Sequence, residues 1–251
     1  MNSDQKLAVL IDGDNIPSKY IKEMMEEITK YGTPTIKRIY GDWTNPHLSK
    51  WKTLLLQNAI TPIQQYAYTV GKNATDSAMI IDAMDILYSD KVDGFCLVSS
   101  DSDFTRLATR LREAGMTVIG IGERKTPEPF LVACDRFVYL EILHSAEDEK
   151  PDTKTRPKRP SEKNNIDLLS AKDLQFIADT LADIADDDGW AFLGELGSQL
   201  LKKRPSFDSR NYGFHKLTPL INSISRFELE QRENSKKSGV KLMYIRDKNN
   251  N

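Results

Sequence analysis

The sequence predicts two folded units of different class. Residues 1–143 read as an α/β domain with a doubly wound, mostly parallel sheet, and residues 166–248 as a small α+β winged-helix domain. Three observations carry this reading. Short apolar runs alternate with amphipathic stretches through the first 143 residues, the pattern of strands linked by helices. Two of the runs, Leu7–Ile11 and Phe95–Val98, are apolar without interruption, as strands buried on both faces are. Residues 144–165 hold three prolines, eleven charged side chains and no large apolar one. Such a segment buries nothing and is expected to be a flexible linker.

In the first unit the expected strands are Lys6–Ile11, Thr35–Tyr40, Thr61–Tyr66, Gly94–Ser99, Thr117–Ile121 and Arg136–Leu143. Helical patterns lie between them over Pro17–Tyr31, His47–Asn58, Thr75–Tyr88, Asp103–Ala114 and, briefly, Glu128–Ala133. In the second unit Ser170-Ala-Lys-Asp173 reads as a capping box. It opens a helix that carries Leu174, Ile177, Leu181 and Ile184 and ends at Asp186-Asp-Asp-Gly189. The triple Asp is expected to be a solvated helix end, because Gly197 stands where a calcium loop needs its last acid. Further helices are expected over Leu193–Lys203, before Pro205, and over Ser209–Ser225. Phe227–Arg232 and Val240–Arg246 follow as a β-hairpin, completing a winged-helix pattern.

Composition narrows the function. Across 251 residues, 35 Lys and Arg stand against 37 Asp and Glu, which excludes a histone-like polycation. Basic and acidic residues number 16 and 19 in residues 1–143, 6 and 5 in the linker, and 13 and 13 beyond it, so any charged site is local. No apolar run reaches the roughly 20 residues of a membrane helix, and Met1–Leu10 lacks a signal-like pattern, so a cytoplasmic protein is expected. Cys96 and Cys134 lie in apolar runs without CxxC or a nearby His, and are expected to be buried free thiols.

Ligands of doubly wound sheets bind beyond the carboxyl ends of the strands. There the first strand gives Asp12-Gly-Asp14-Asn15, and the fourth gives Ser99-Ser100-Asp101-Ser-Asp103. The helix after the third strand starts with Thr75-Asp76. Taken singly, Asp14, Asp76 and Asp103 read as helix caps or dipole partners. Taken together, converging carboxylates repel and raise one another's pKa unless a cation is present. Oxygen ligands without Cys or His favour Mg²⁺ or Mn²⁺, and such ions complete their shell with phosphate. That chemistry is phosphoryl transfer or phosphodiester cleavage. Asp82 and Asp85 lie about 120° and 180° around the helix from Asp76. They read instead as a polar helix face or a bond to a backbone amide.

Two families share this arrangement. Haloacid-dehalogenase-like phosphatases also follow strand one with Asp-x-Asp. They place Thr or Val two residues after the second Asp, where this chain has Ile16, and need a Lys ahead of the late acidic pair, for which Lys91 is the candidate. A closer resemblance covers nearly all of residues 6–143. Leu10-Ile-Asp12-Gly-Asp14-Asn15-Ile16, Gly71-Lys72-Asn-Ala-Thr75-Asp76, Ile81-Asp82-Ala-Met-Asp85 and Leu97-Val-Ser-Ser-Asp101-Ser-Asp103-Phe104 resemble the NYN branch of the PIN-like nucleases. Leu107-Ala-x-x-Leu111 and the run to Gly122 resemble its LabA-type bacterial members. The resemblance implies a PIN-like fold and a Mg²⁺- or Mn²⁺-dependent ribonuclease acting on single-stranded RNA. It implies that Asp12, Asp76 and Asp101 hold the metal, with Asp103 ligating directly or through a water. Asn15 would orient a phosphate or the attacking water, Lys72 would contact phosphate or stand solvated in its loop, and Ser99 and Ser100 would donate to Asp12 or to phosphate or pack at the strand end. Asp14 has either a site role or only a helix cap.

In the second unit Asp188-Gly-Trp190-Ala, Leu193-Gly-Glu-Leu-Gly197, Arg204-Pro-Ser-Phe207-Asp, Tyr212-Gly-Phe and Lys216-Leu resemble the OST-HTH, or LOTUS, domain, whose members bind RNA or dock proteins. Trp190, Phe207 and Leu217 are expected in the core. Arg210, Tyr212, His215 and Lys216 fall at the start of the expected third helix, where an RNA contact would lie. Lys202, Lys203 and Arg204 extend the strip, and Lys236, Lys237 and Lys241 put charge on the wing. A solvated face and a protein-docking face are the other readings of this strip. For the whole chain the alternative class is a non-catalytic regulator that binds metal or RNA without turnover. The full set Asp12, Asp76, Asp101 and Asp103 argues against it.

Overall fold

The computed structural model describes residues 5–66, 74–143, 169–233 and 241–249. The chain divides into two compact units, residues 1–157 and 158–251. The expected linker, Lys72, and wing residues Lys236 and Lys237 lie outside the described residues. Among those described, no helix is long and apolar enough to cross a membrane.

The described residues of the larger unit form a sheet of six strands, β1 (Lys6–Asp12), β2 (Thr33–Gly41), β3 (Thr61–Gln64), β4 (Gly94–Val98), β5 (Thr117–Gly122) and β6 (Arg136–Tyr139). Their order is β3-β2-β1-β4-β5-β6 and every pairing is parallel, so the expected "mostly parallel" sheet is wholly so. Helices α1 (Ile21–Ile28), α2 (Trp51–Asn58), α3 (Ala74–Tyr88), α4 (Thr105–Glu113) and α5 (Glu128–Ala133) join the strands. Alternate residues of β1 and β4 feed two separate cores. Leu7, Val9, Ile11, Cys96 and Val98 enter one, while Ala8, Leu10, Phe95 and Leu97 enter the other. Burial on both faces is why these strands are continuously apolar. The chain steps outward from β1 to β3, then returns through α3 to place β4 on the other side of β1. The strand order therefore reverses between β1 and β4, the position where such sheets bind ligands.

Several expected elements are shorter than their patterns. Helices α1, α2 and α4 are each preceded by a 3₁₀ turn, and the sixth strand stops at Tyr139 before a 3₁₀ turn over Leu140–Ile142.

The smaller unit contains α6 (Ala171–Ala182), β7 (Trp190–Phe192), α7 (Leu193–Lys203), α8 (Leu217–Asn222), β8 (Phe227–Glu233) and β9 (Lys241–Asp247). The Ser170–Asp173 capping box forms in both directions. The hairpin β8–β9 acquires a third antiparallel strand, β7, that the sequence reading did not contain. The expected third helix over Ser209–Ser225 is also corrected. Ser209–Tyr212 is a 3₁₀ turn that ends at Gly213 with φ +82°, a left-handed conformation that a helix cannot continue through, and α8 begins only at Leu217. Leu196, Leu200, Leu220, Ile221 and Ile245 are fully buried at the core, with Trp190 and Phe207 buried and Leu217 packed against its edge.

Candidate metal centre at the carboxyl edge of the larger sheet

Asp12 closes β1 and is completely buried. Gly13 keeps the chain against β2. Its N–H donates to Tyr40 O at 2.8 Å, and a Cβ there would stand 2.9 Å from that same oxygen. The turn then aims Asn15 back at Asp12. Asn15 Nδ2 donates to Asp12 Oδ2 at 2.8 Å and its backbone N–H to Oδ1 at 3.3 Å. From β4, Ser99 Oγ donates to the same Oδ2 at 2.7 Å and accepts the Asp101 N–H at 3.1 Å. Burial raises the Asp12 pKa, the donors from Asn15 and Ser99 oppose that rise, and the nearby Asp14 adds to it.

Beyond β4 the backbone of Asp101 is extended, and its Oδ1 accepts the Asp103 N–H at 2.9 Å. This local turn presents both side chains on one edge. Asp76, in the first turn of α3, comes in from the crossover. One carboxylate oxygen from each of Asp76, Asp101 and Asp103 lies within 4.8 Å of the other two. Burial pushes the Asp76 pKa up to about 6, reinforced by Asp12, Asp101, Asp103 and Asp14 in that order. The charges acting on Asp76 are thus of its own sign, and the donors are oxygens only. This set fits a hard divalent cation such as Mg²⁺ or Mn²⁺.

Of the four expected metal ligands, the structure groups three. Asp12 stands beside them, outside that mutual distance, held by Ser99 and Asn15. Asn15 is accordingly engaged with Asp12. Ser100 Oγ is occupied as acceptor of the Glu123 N–H at 2.8 Å. Asp14 has a partner that the sequence reading did not assign, Thr75 Oγ1, which donates to Oδ2 at 2.9 Å and ties the β1 turn to the start of α3. The sequence signal was present, since Thr75 adjoins Asp76 at a helix start, but its target lies 61 residues away. Asp85 is exposed, in line with a polar helix face. Asp82 is corrected: it accepts from the side chains of Arg38 and Tyr40 on β2 rather than from a backbone amide. Burial and this carboxylate push the Tyr40 hydroxyl pKa far up. Lys91 precedes β4, at the opposite end of that strand from Asp101, so the phosphatase pattern lacks its lysine at the site.

In the smaller unit, Arg210 wraps Asp208, donating from N, Nε and Nη2 at 2.9, 3.0 and 2.8 Å. Tyr212 packs on Phe207 with ring centroids 6.0 Å apart. Arg204 bonds Asp173 at 2.6 Å and lies 4.0 Å over the Phe176 ring, and Lys203 pairs with Asp183. Lys202, His215, Lys216 and Lys241 are exposed. The expected basic strip therefore divides into paired residues, Lys203, Arg204 and Arg210, and exposed ones.

Comparison with known families matches residues 6–141 to the NYN domain and residues 162–238 to the OST-HTH/LOTUS domain. An uncharacterized protein of Methanocaldococcus jannaschii is 25% identical over 123 residues, covering 47% of this chain and 48% of that protein. The chain thus spans about half the length of this curated relative. Among solved structures, a protein of unknown function from Vibrio parahaemolyticus aligns with TM-score 0.46 and 20% identity over 55% of this chain and 94% of that one. An uncharacterized protein from Nitrosomonas europaea aligns with TM-score 0.30 and 30% identity over 41% of this chain and 91% of that one.

Proposed function

Because the chain belongs to the NYN family, a nuclease-type domain, and carries an OST-HTH/LOTUS domain after it, we propose that it is a divalent-metal-dependent ribonuclease that hydrolyses single-stranded RNA. The observation that carries this reading is the convergence of Asp76, Asp101 and Asp103 where the strand order reverses. These three side chains hold the cation, and the fixed carboxylate of Asp12 keeps a further negative charge beside it. A divalent cation bound there supplies a Lewis acid that lowers the pKa of water and offsets charge on the phosphate. Asn15 and Ser99 act on Asp12, fixing its rotamer so that the acidic edge is organised before substrate arrives. The OST-HTH/LOTUS unit recruits RNA, with Lys216 at its exposed edge, and residues 144–165 serve as the tether.

The test is cleavage of labelled single-stranded RNA by the full-length protein with Mn²⁺, beside Asp101→Asn. The variant is expected to lose at least about a hundredfold in rate, with an unchanged circular dichroism spectrum. Equal cleavage by the folded variant sinks the assignment. Mn²⁺ binding with no cleavage by the wild-type protein would instead establish a non-catalytic regulator.

A further inference from the structure

A cleft of about 660 Å³ adjoins the acidic edge and shares Asp14, Asn15 and Thr75 with it. It runs away from β4, across the ends of β1 and β2, between the turn that leads into α1 and the loop that leads into α2. Its volume falls in the range, roughly 300–1,000 Å³, of pockets that hold small organic ligands. Its walls differ in character from the acidic edge. Ile16, Leu48 and Trp51, all nearly buried, supply apolar surface, while exposed Lys19 and Lys50 stand on the rim with exposed His47 between them in sequence. Lys19 lies 4.8 Å over the Tyr20 ring, and among the described residues neither lysine has a carboxylate partner. Two acids also line the cleft: Asp14, which accepts from Thr75 Oγ1, and Asp42, one oxygen of which accepts from the Thr44 N–H, the Thr44 hydroxyl and Gln64 Nε2.

An apolar floor with cations on its rim, next to a cation-binding edge, matches a nucleotide in chemistry: a base to cover and a phosphate to neutralise. We propose that this cleft is the subsite for the nucleotide flanking the scissile phosphate, with Lys19 and Lys50 binding the adjoining backbone phosphates. The single strand then crosses from the acidic edge over β1 to β2. Lys19 and Lys50 decide where the strand sits, and neither touches the reacting atoms. This inference rests on the nuclease reading for its substrate.

The test uses the full-length protein, a short single-stranded oligoribonucleotide and Mn²⁺, with the paired substitution Lys19→Glu and Lys50→Glu. Lys91→Glu, at the other end of the sheet, is the control. The pair is expected to raise KM about tenfold or more with kcat within about twofold. It should also flatten the dependence of log kcat/KM on log salt by about 1.4, the share of two single-strand phosphate contacts. The control should change neither. If the wild-type protein cleaves and the pair leaves KM and the salt slope intact, the subsite is overturned while the nuclease reading stands. If the wild-type protein does not cleave, fluorescence anisotropy with the same oligonucleotide decides. Weaker binding by the pair alone supports nucleotide binding in the cleft while overturning its link to a scissile phosphate, and equal affinity of wild type, pair and control overturns both.

Discussion

In the smaller unit, acids that enter the fold are matched with guanidinium groups. Asp247 is only 3% exposed and receives Arg226 at 2.7 Å, Asp208 receives Arg210, and Asp173 receives Arg204; against the effect of burial, the Ser170 donors and then Arg204 hold the Asp173 carboxyl below its usual range. At the carboxyl edge of the larger sheet Asp12 is fully buried and Asp76 nearly so. Their neighbours there are neutral donors or further acids. Pairing in one place stabilises a fold. Like charges gathered in the other oppose folding, and they are the groups proposed above to hold a cation. The difference separates carboxylates that build the molecule from carboxylates that equip it, although residue type and spacing are alike in both.

The contrast breaks most visibly where a paired acid loses its cation. Arg226→Ala leaves Asp247 buried without charge compensation and should cost about 3 kcal/mol, the lower end for a broken buried pair, in denaturant unfolding of the smaller unit. A cost near zero would mean that Asp247 gains solvent when its partner goes. The opposite sign is expected at the acidic edge. The Asp76 carboxyl has its pKa raised from 3.8 to about 6, so the folded state holds its proton more tightly than the unfolded one. That handicap is absent below pH 4, grows between pH 4 and 6 and is complete above 6. In EDTA, Asp76→Asn should therefore melt above the wild-type protein at pH 7.5, and the two should converge near pH 4. Mn²⁺ should raise the melting temperature of the wild type far more than that of the variant. The smallest effect belongs to the solvated cations of the smaller unit. Lys216→Ala should lower RNA affinity about twofold and flatten its salt slope by about 0.7. Arg210→Ala should do less to affinity, because its guanidinium is committed to Asp208.

The larger sheet was legible because each strand is an apolar run between turn residues, and Leu7–Ile11 and Phe95–Val98 mark its centre. Strand β7 was not legible. It is three residues long, and its partner β9 lies some fifty residues further along the chain. The helical pattern over Ser209–Ser225 runs through Gly213, whose left-handed backbone divides it into a 3₁₀ turn and a short helix. At the site, the strand-end positions of Asp12, Asp101 and Asp103 pointed to a common edge, and the helix start pointed Asp76 toward it. Ser99 donates to Asp12, one of the two targets expected for it, whereas the return of Asn15 onto Asp12 depends on side-chain geometry that no spacing encodes. The Arg38–Tyr40–Asp82 contact joins alternate residues of one strand to a helix more than forty positions away. Lys19 and Lys50 meet on one cleft because β1 and β2 are neighbours, which only the fold supplies.

Cys96 and Cys134 are both free and buried in the larger unit, with the Cys134 thiol pushed up by burial to about 12 and that of Cys96 raised further in the same direction. A thiol reacts as thiolate and in reach of solvent, so an alkylating reagent must wait for the sheet to open. The smaller unit has no cysteine. The pace of labelling is therefore a clock for opening of the larger unit alone, to which unfolding of its companion is silent. Any ion that grips the acidic edge slows that clock, and its binding is recorded in two sulfur atoms that take no part in holding it.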